Sequence, residues 1–391
     1  MANASAHDWS IFLVIVGLRL IVPLFIPKFP LPAILAALVI DGLDQTIFAT
    51  YTDLPLDNYQ SYDKALDIYY LTIAYLAVMR NWRNPFAVGV AAALWYYRLV
   101  GVLAFELTGY RWMLMVFPNT FEYFVIAIEV VRTRWDAGTL SKKAFVWTAA
   151  LIWIFIKLPQ EWWIHVAQLD FTDEFKTKVL GIETTDPWSA AWDARPGVVI
   201  GLVVLLVAIV VVGWRLSRRL PPAAWPFTVD ADVISRRVGW LPTGPIAVAP
   251  RGTAHVLEKI ALAGLVSLIV LESWPLLDVR SWVAFVVVGA VVLVHAGVSV
   301  WRTRAGRTTA ANLGVQVVIN TVISLVAMLV FAAFASRGSA DISVGDVLLF
   351  AYIVALIVTL YDRYAARREA IVPAGPSPHD DVRSSTAVGG R

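Results

Sequence analysis

The 391-residue chain has no cysteine, only five histidines and only 16% charged residues, where an ordinary soluble domain carries about 25%. The missing thiols exclude disulfides, thiolate nucleophiles, Cys-ligated zinc and iron–sulfur clusters. The histidines are scattered, with no metal-ligand spacing. No Walker lysine loop, nucleophile elbow, H-E-x-x-H pair or dinucleotide glycine fingerprint occurs, so ATP-driven pumping and the common hydrolase mechanisms find no support. The opening MANASAHDWS lacks the basic stretch of a secretory signal, so the first apolar run reads as retained.

What fills the chain instead is apolar: 59% of residues are hydrophobic and mean hydropathy is +0.69. Runs of the ~20 helical residues needed to cross a ~30 Å hydrocarbon core recur along most of its length. They predict an all-α polytopic transmembrane bundle of about eleven spans, near 10–27, 31–50, 65–80, 86–106, 112–131, 144–160, 197–214, 259–276, 281–300, 311–335 and 345–361. Of the 32 Lys and Arg residues, 22 fall on one side of these spans and seven on the other, with Arg19, Arg98 and Lys157 inside them. By the positive-inside rule the N-terminus lies outside and the C-terminus in the cytoplasm of a bacterial-type plasma membrane. The net charge of +3 then belongs to basic loops facing an anionic leaflet and not to nucleic-acid binding.

Composition divides the chain into four parts. Residues 1–160 form an N-terminal six-helix unit holding nearly all the intramembrane charge. Residues 161–196 are Trp-rich and acidic and read as an amphipathic helix on the outer interface. Residues 197–364 are a Val/Leu/Ala-rich five-helix unit that includes a basic cytoplasmic loop over 215–258, and residues 365–391 read as a disordered cytoplasmic tail.

Ionisable groups inside a membrane cost roughly 2.5–3.5 kcal/mol each on insertion scales and therefore face a partner or a cavity. Asp41 and Asp44, three apart, share one helical face, and so do Asp63 and Asp67, four apart. A helical hairpin between them brings four carboxylates together, with Asp53 and Asp57 in the loop. Such a group must hold a cation, pair with Arg or Lys, or take up protons. A divalent metal such as Mg on oxygen ligands, a salt-bridged lock and a proton or cation relay are all open. Arg98, in WYYRLVG, is the expected counter-charge, with Lys64 and Arg111 near the outer surface and Glu106, Glu122 and Glu129 as further acids. Arg98 also suits a lipid phosphate, because a guanidinium matches phosphate oxygens in a fork.

The spacing of Asp41, Asp44, Asp63 and Asp67 resembles the motif of the CDP-alcohol phosphotransferases, D-x2-D-G-x2-A-R followed by G-x3-D-x3-D, over residues 41–67. Gln45 stands in place of its first Gly, Phe48-Ala49 in place of Ala-Arg and Tyr59 in place of the later Gly. The resemblance implies a pair of divalent metals on the four aspartates and Asp67 as general base toward a lipid hydroxyl. That family's site faces the cytoplasm, whereas the basic-residue count puts these acids outside. Three functions follow from the same residues: an outward-facing acidic site that binds or transports a cation or lipid ligand, a metal-dependent phosphotransferase acting on a lipid alcohol, and a non-catalytic membrane scaffold whose charges lock helices. The sequence does not decide whether the chain is an enzyme.

Overall fold

The computed structural model describes residues 5–53, 59–167, 171–240, 253–273, 281–304, 313–335 and 344–371, and no strand occurs among them. Among the described residues, six helical segments are long and apolar enough to cross a membrane: Ala6–Phe25, Pro30–Tyr51, Pro85–Thr108, Trp112–Arg132, Pro196–Arg215 and Val347–Arg368. The all-helical architecture and these apolar helices fit a membrane-embedded protein.

Local chemistry sets the helix ends. Helix α1 (Ala6–Ile21) starts on a capping box in which Ser5 and Asp8 each bond the other's backbone N–H. A 3₁₀ turn (Val22–Phe25) then leads into α2 (Pro30–Tyr51), which opens on Pro30, where a missing N–H costs nothing. The proline-crowded junction at 23–32 is thus the turn of an α1–α2 hairpin. Its other end closes where the Asp53 N–H meets the Asp8 carboxylate.

Helix α3 (Tyr59–Asn81) is the centre of the bundle. It packs against α1, α2, α4 (Pro85–Thr108) and α6 (Thr120–Arg132), and also against α13 (Thr253–Ser273) and α16 (Val344–Ile371). From Ala65 to Met79 almost every side chain is buried. Protein, not lipid, surrounds it, which is why its sequence carries Tyr, Thr and Asp and why it is absent from those six segments. The opposite case is α11 (Pro196–Ser217), whose membrane-length window has no buried residue; Val, Leu and Ile surround it on every side, the composition lipid contact requires.

Three differences from the sequence reading have physical causes. The segment expected over 112–131 keeps its membrane-crossing length but is not one continuous helix, since Phe117–Pro118–Asn119 separates α5 (Trp112–Val116) from α6, with Asn119 capping α6. The amphipathic helix expected over 161–196 is a series of short pieces. After α7 (Lys142–Leu151) come a π-helical turn (Ile152–Lys157), α8 (Leu158–Glu161), a second π turn (Trp162–Val166), α9 (Phe171–Glu174), a third π turn (Phe175–Leu180) and α10 (Ala191–Ala194). Gly181, at φ 69°, stops the third π turn in a left-handed cap. The tail expected from residue 365 is helical as far as Ile371; beyond that it lies outside the described residues.

The later helices do not form a block apart. Glu258 on α13 accepts hydrogen bonds from Tyr75 of α3 (3.1 Å) and Tyr361 of α16 (2.8 Å), and Lys259 pairs with Asp362 at 2.9 Å. Helices α14 (Ser281–Arg304) and α15 (Leu313–Ala335) pack outside α13 and α16. On α15, Asn320 donates to Thr359 of α16 at 2.7 Å, an interhelical hydrogen bond. At one end of the bundle, residues 224–240, including α12 (Ala231–Arg237), strap the helix ends together. They bond the carbonyls of Lys28, Arg80, Arg132, Thr133 and Arg134, and Asp232 pairs with Arg80.

Candidate functional site

The four aspartates converge, and the cation among them is Arg19. Its position on α1 faces Asp41 and Asp44 across the α1–α2 hairpin, while Tyr69 fixes α3 alongside by donating to the Leu20 carbonyl at 2.9 Å. One guanidinium nitrogen pairs with Asp44 and with Asp63 at 2.6 Å; the other pairs with Asp41 and with Asp67 at 2.9 Å. This single guanidinium ties α1, α2 and α3 together through fork geometry.

The four acids are not equivalent. Arg19 is 3% exposed and Asp44 fully buried, so these two form an interior ion pair. Asp44 also accepts from the Gln45 N–H at 2.6 Å. Asp41, Asp63 and Asp67 keep 24%, 29% and 30% of their side-chain surface. Each can offer a carboxylate oxygen within 4.8 Å of the others, a spacing at which three carboxylates can share one cation. Four carboxylates against one guanidinium leave the cluster strongly negative when all are ionised, and the partly open triad is where a cation can offset that charge.

Arg98, the expected counter-charge, is committed elsewhere. The break at Pro118 frees helical carbonyls, and Arg98 Nη1 donates to that of Phe117 at 3.0 Å while Tyr97 donates to that of Val116 at 2.7 Å. Gly101 makes room for this arrangement: a Cβ there would stand 2.0 Å from the Phe117 Cβ. Glu106 pairs at 3.6 Å with Lys64, the residue after Asp63 on α3. Glu129 belongs to a different lock, accepting from Arg132 (2.6 and 2.8 Å) and from Trp82 Nε1 (2.7 Å). Asp57 lies outside the described residues, and Asp53 is exposed.

Glu122 neighbours the cluster without joining it. It is 4% exposed, accepts from Tyr70 one turn along α3 from Asp67, and accepts from Asn119 Nδ2 at 2.9 Å. The Asn119 N–H in turn donates to Glu161 (3.3 Å), which pairs with His165 at 3.0 Å.

Arg19 is the counter-charge that sequence reasoning passed over. The signal was present, since an arginine in the middle of an apolar run requires a partner. Comparison with known proteins found no matching family, no matching curated protein and no matching solved structure.

Proposed function

We propose that the protein is a multipass membrane protein whose Asp41–Asp63–Asp67 triad, seated on the buried Arg19–Asp44 pair, is an outward-facing site for a cation or a cation-bearing lipid ligand, bound during transport or lipid handling. The observation that carries the reading is the excess of carboxylate over guanidinium in a cluster whose three peripheral acids keep partial access to solvent. About eleven spans, N-terminus outside and C-terminus in the cytoplasm, is the topology that goes with it. Helical segments occupying each of the apolar windows support that number. The gathering of Lys28, Arg80, Arg132 and Arg134 at the strapped end, away from the aspartates, supports that orientation.

The test is a titration of the purified protein with Mg²⁺, read by tryptophan fluorescence. Saturable binding that is lost in the Asp41→Asn, Asp63→Asn and Asp67→Asn variants and kept in Asp53→Asn is expected. Binding unchanged in all three triad variants, or no binding by the native protein, overturns the reading.

The convergence of the triad to within 4.8 Å also favours a second reading, a metal-dependent phosphotransferase acting on a lipid alcohol with Asp67 as general base, as the motif resemblance implies. It requires the aspartate end of the bundle to face the cytoplasm, so sidedness separates the two. A non-catalytic scaffold predicts no cation binding at all.

A further inference from the structure

Behind the aspartates lies a set of buried polar groups that the cation site does not use. Tyr70, Glu122, Lys157 and Glu161 are each 4–5% exposed. Lys157 makes no hydrogen bond or ion pair within 4 Å among the described residues; its ammonium lies 4.0 Å from the Tyr123 ring centroid, in electrostatic reach of both Glu122 and Glu161. It ends a π-helical turn, a conformation that is rare and frequent at functional sites. A lysine this deep with no committed partner is expensive in a structural role and useful in one where its neighbour's charge changes.

That neighbour is Glu122. From α3 Tyr70, three residues from Asp67, donates to it, and Asn119 donates to it from the α5–α6 break; Asp41 on α2, Arg98 on α4, Tyr123 on α6 and Lys157 after α7 lie within electrostatic reach. Burial and the negative aspartate cluster favour its neutral form. The Tyr70 hydroxyl, the Asn119 amide, Arg98 and Lys157 favour its carboxylate. The two sets oppose one another, so a change in the charge of the cluster shifts the balance.

We propose that Glu122 is a proton-binding site coupled to the aspartate triad: a cation entering the triad removes the negative potential at Glu122, whose proton leaves to bulk water while Lys157 becomes the counter-ion of the new carboxylate. The exchange is reciprocal, so protonation of Glu122 weakens cation binding by the same factor. No electron moves and no covalent bond other than O–H is broken. The inference rests on the cation reading of the triad and adds the ion exchanged against the cation.

The experiment measures protons released on Mg²⁺ binding by the full chain in lipid nanodiscs, using calorimetry in two buffers of different ionisation enthalpy. The native protein should release up to about one proton per bound ion at a pH between the midpoints of the Glu122 titration with and without Mg²⁺. Glu122→Gln should bind Mg²⁺ and release less than about half as much, and infrared difference spectra should show its loss of the carboxylic-acid C=O band that the native protein bleaches on Mg²⁺ addition. Lys157→Gln, which keeps the Glu122 carboxyl but removes its counter-ion, should also lower the release and covers the case in which Glu122→Gln fails to fold. Native-like release from either variant, or Mg²⁺ binding with no proton release by the native protein, overturns the coupling while leaving the cation site standing. Absence of Mg²⁺ binding by the native protein overturns the cation reading itself, and the coupling with it.

Discussion

Replacing Arg19 by methionine is the most informative single change. The substitution preserves most of the side-chain volume but leaves Asp44 fully buried with no cation, together with three partly exposed carboxylates. Breaking a buried pair by removing one partner costs about 3–5 kcal/mol. Most of that cost attaches to Asp44, because Asp41, Asp63 and Asp67 retain 24–30% of their surface and can be hydrated. Asp44→Asn in the Arg19→Met background should therefore recover part of the loss, with a coupling energy of roughly 0.5–3 kcal/mol. The same Asp44→Asn change combined with Arg98→Met should be additive, since Arg98 bonds the Phe117 carbonyl and not the cluster. Thermal unfolding in detergent followed by tryptophan fluorescence measures all of these, and with no cysteine in the chain thiol-reactive dyes stay free for introduced sites. Native-like stability of Arg19→Met, or coupling of Asp44 to Arg98 and not to Arg19, refutes the reasoning.

Three further outcomes are expected. Gly101→Ala should destabilise by about 1–3 kcal/mol, since its methyl would overlap the Phe117 Cβ at the α5–α6 break; Phe117→Gly, which removes that Cβ, should relieve part of the loss, whereas Phe117→Ala, which keeps it, should not, and an unfolding scan of the singles and doubles checks it. Arg132→Met should lower stability by about 3–5 kcal/mol by stranding the buried Glu129, and Glu129→Gln in that background should restore a measurable part. At the end of α8, burial pushes the Glu161 carboxyl up, but the His165 hydrogen bond and the charges of Arg98 and Lys157 more than offset it and hold it down at about 2. Its contribution to stability is therefore complete above the ordinary glutamate range and is lost as pH falls toward 2. Glu161→Gln should flatten that limb of the stability profile, and an unchanged acid limb would contradict it.

The aspartate pairs were legible because helical spacing alone puts Asp41 with Asp44 and Asp63 with Asp67 on shared faces, and the short connection between them forces a hairpin. The cation was not, because two arginines sat inside apolar runs and the proline-rich junction at 23–32 obscured which way the first helix returned. Only the α1–α2 hairpin shows that Arg19 faces Asp44. Arg98 drew attention from mid-helix position, yet its partner is a backbone carbonyl released by Pro118, a contact between helices that no spacing rule encodes. Hydropathy likewise ranks segments by their fitness for lipid, so it favours α11, whose membrane-length window has no buried residue, and understates α3, which is buried along almost its whole length.

The central claim, an acidic cation site open to the outer face, is tested most directly by sidedness. Asp53→Cys at the aspartate end and Thr139→Cys at the strapped end, both exposed positions in a chain without other cysteines, can be labelled in intact cells with a membrane-impermeant maleimide. The account predicts that position 53 labels from outside and position 139 only after the membrane is opened. Labelling in the reverse pattern contradicts it, places the aspartates in the cytoplasm and leaves the phosphotransferase reading as the one to pursue.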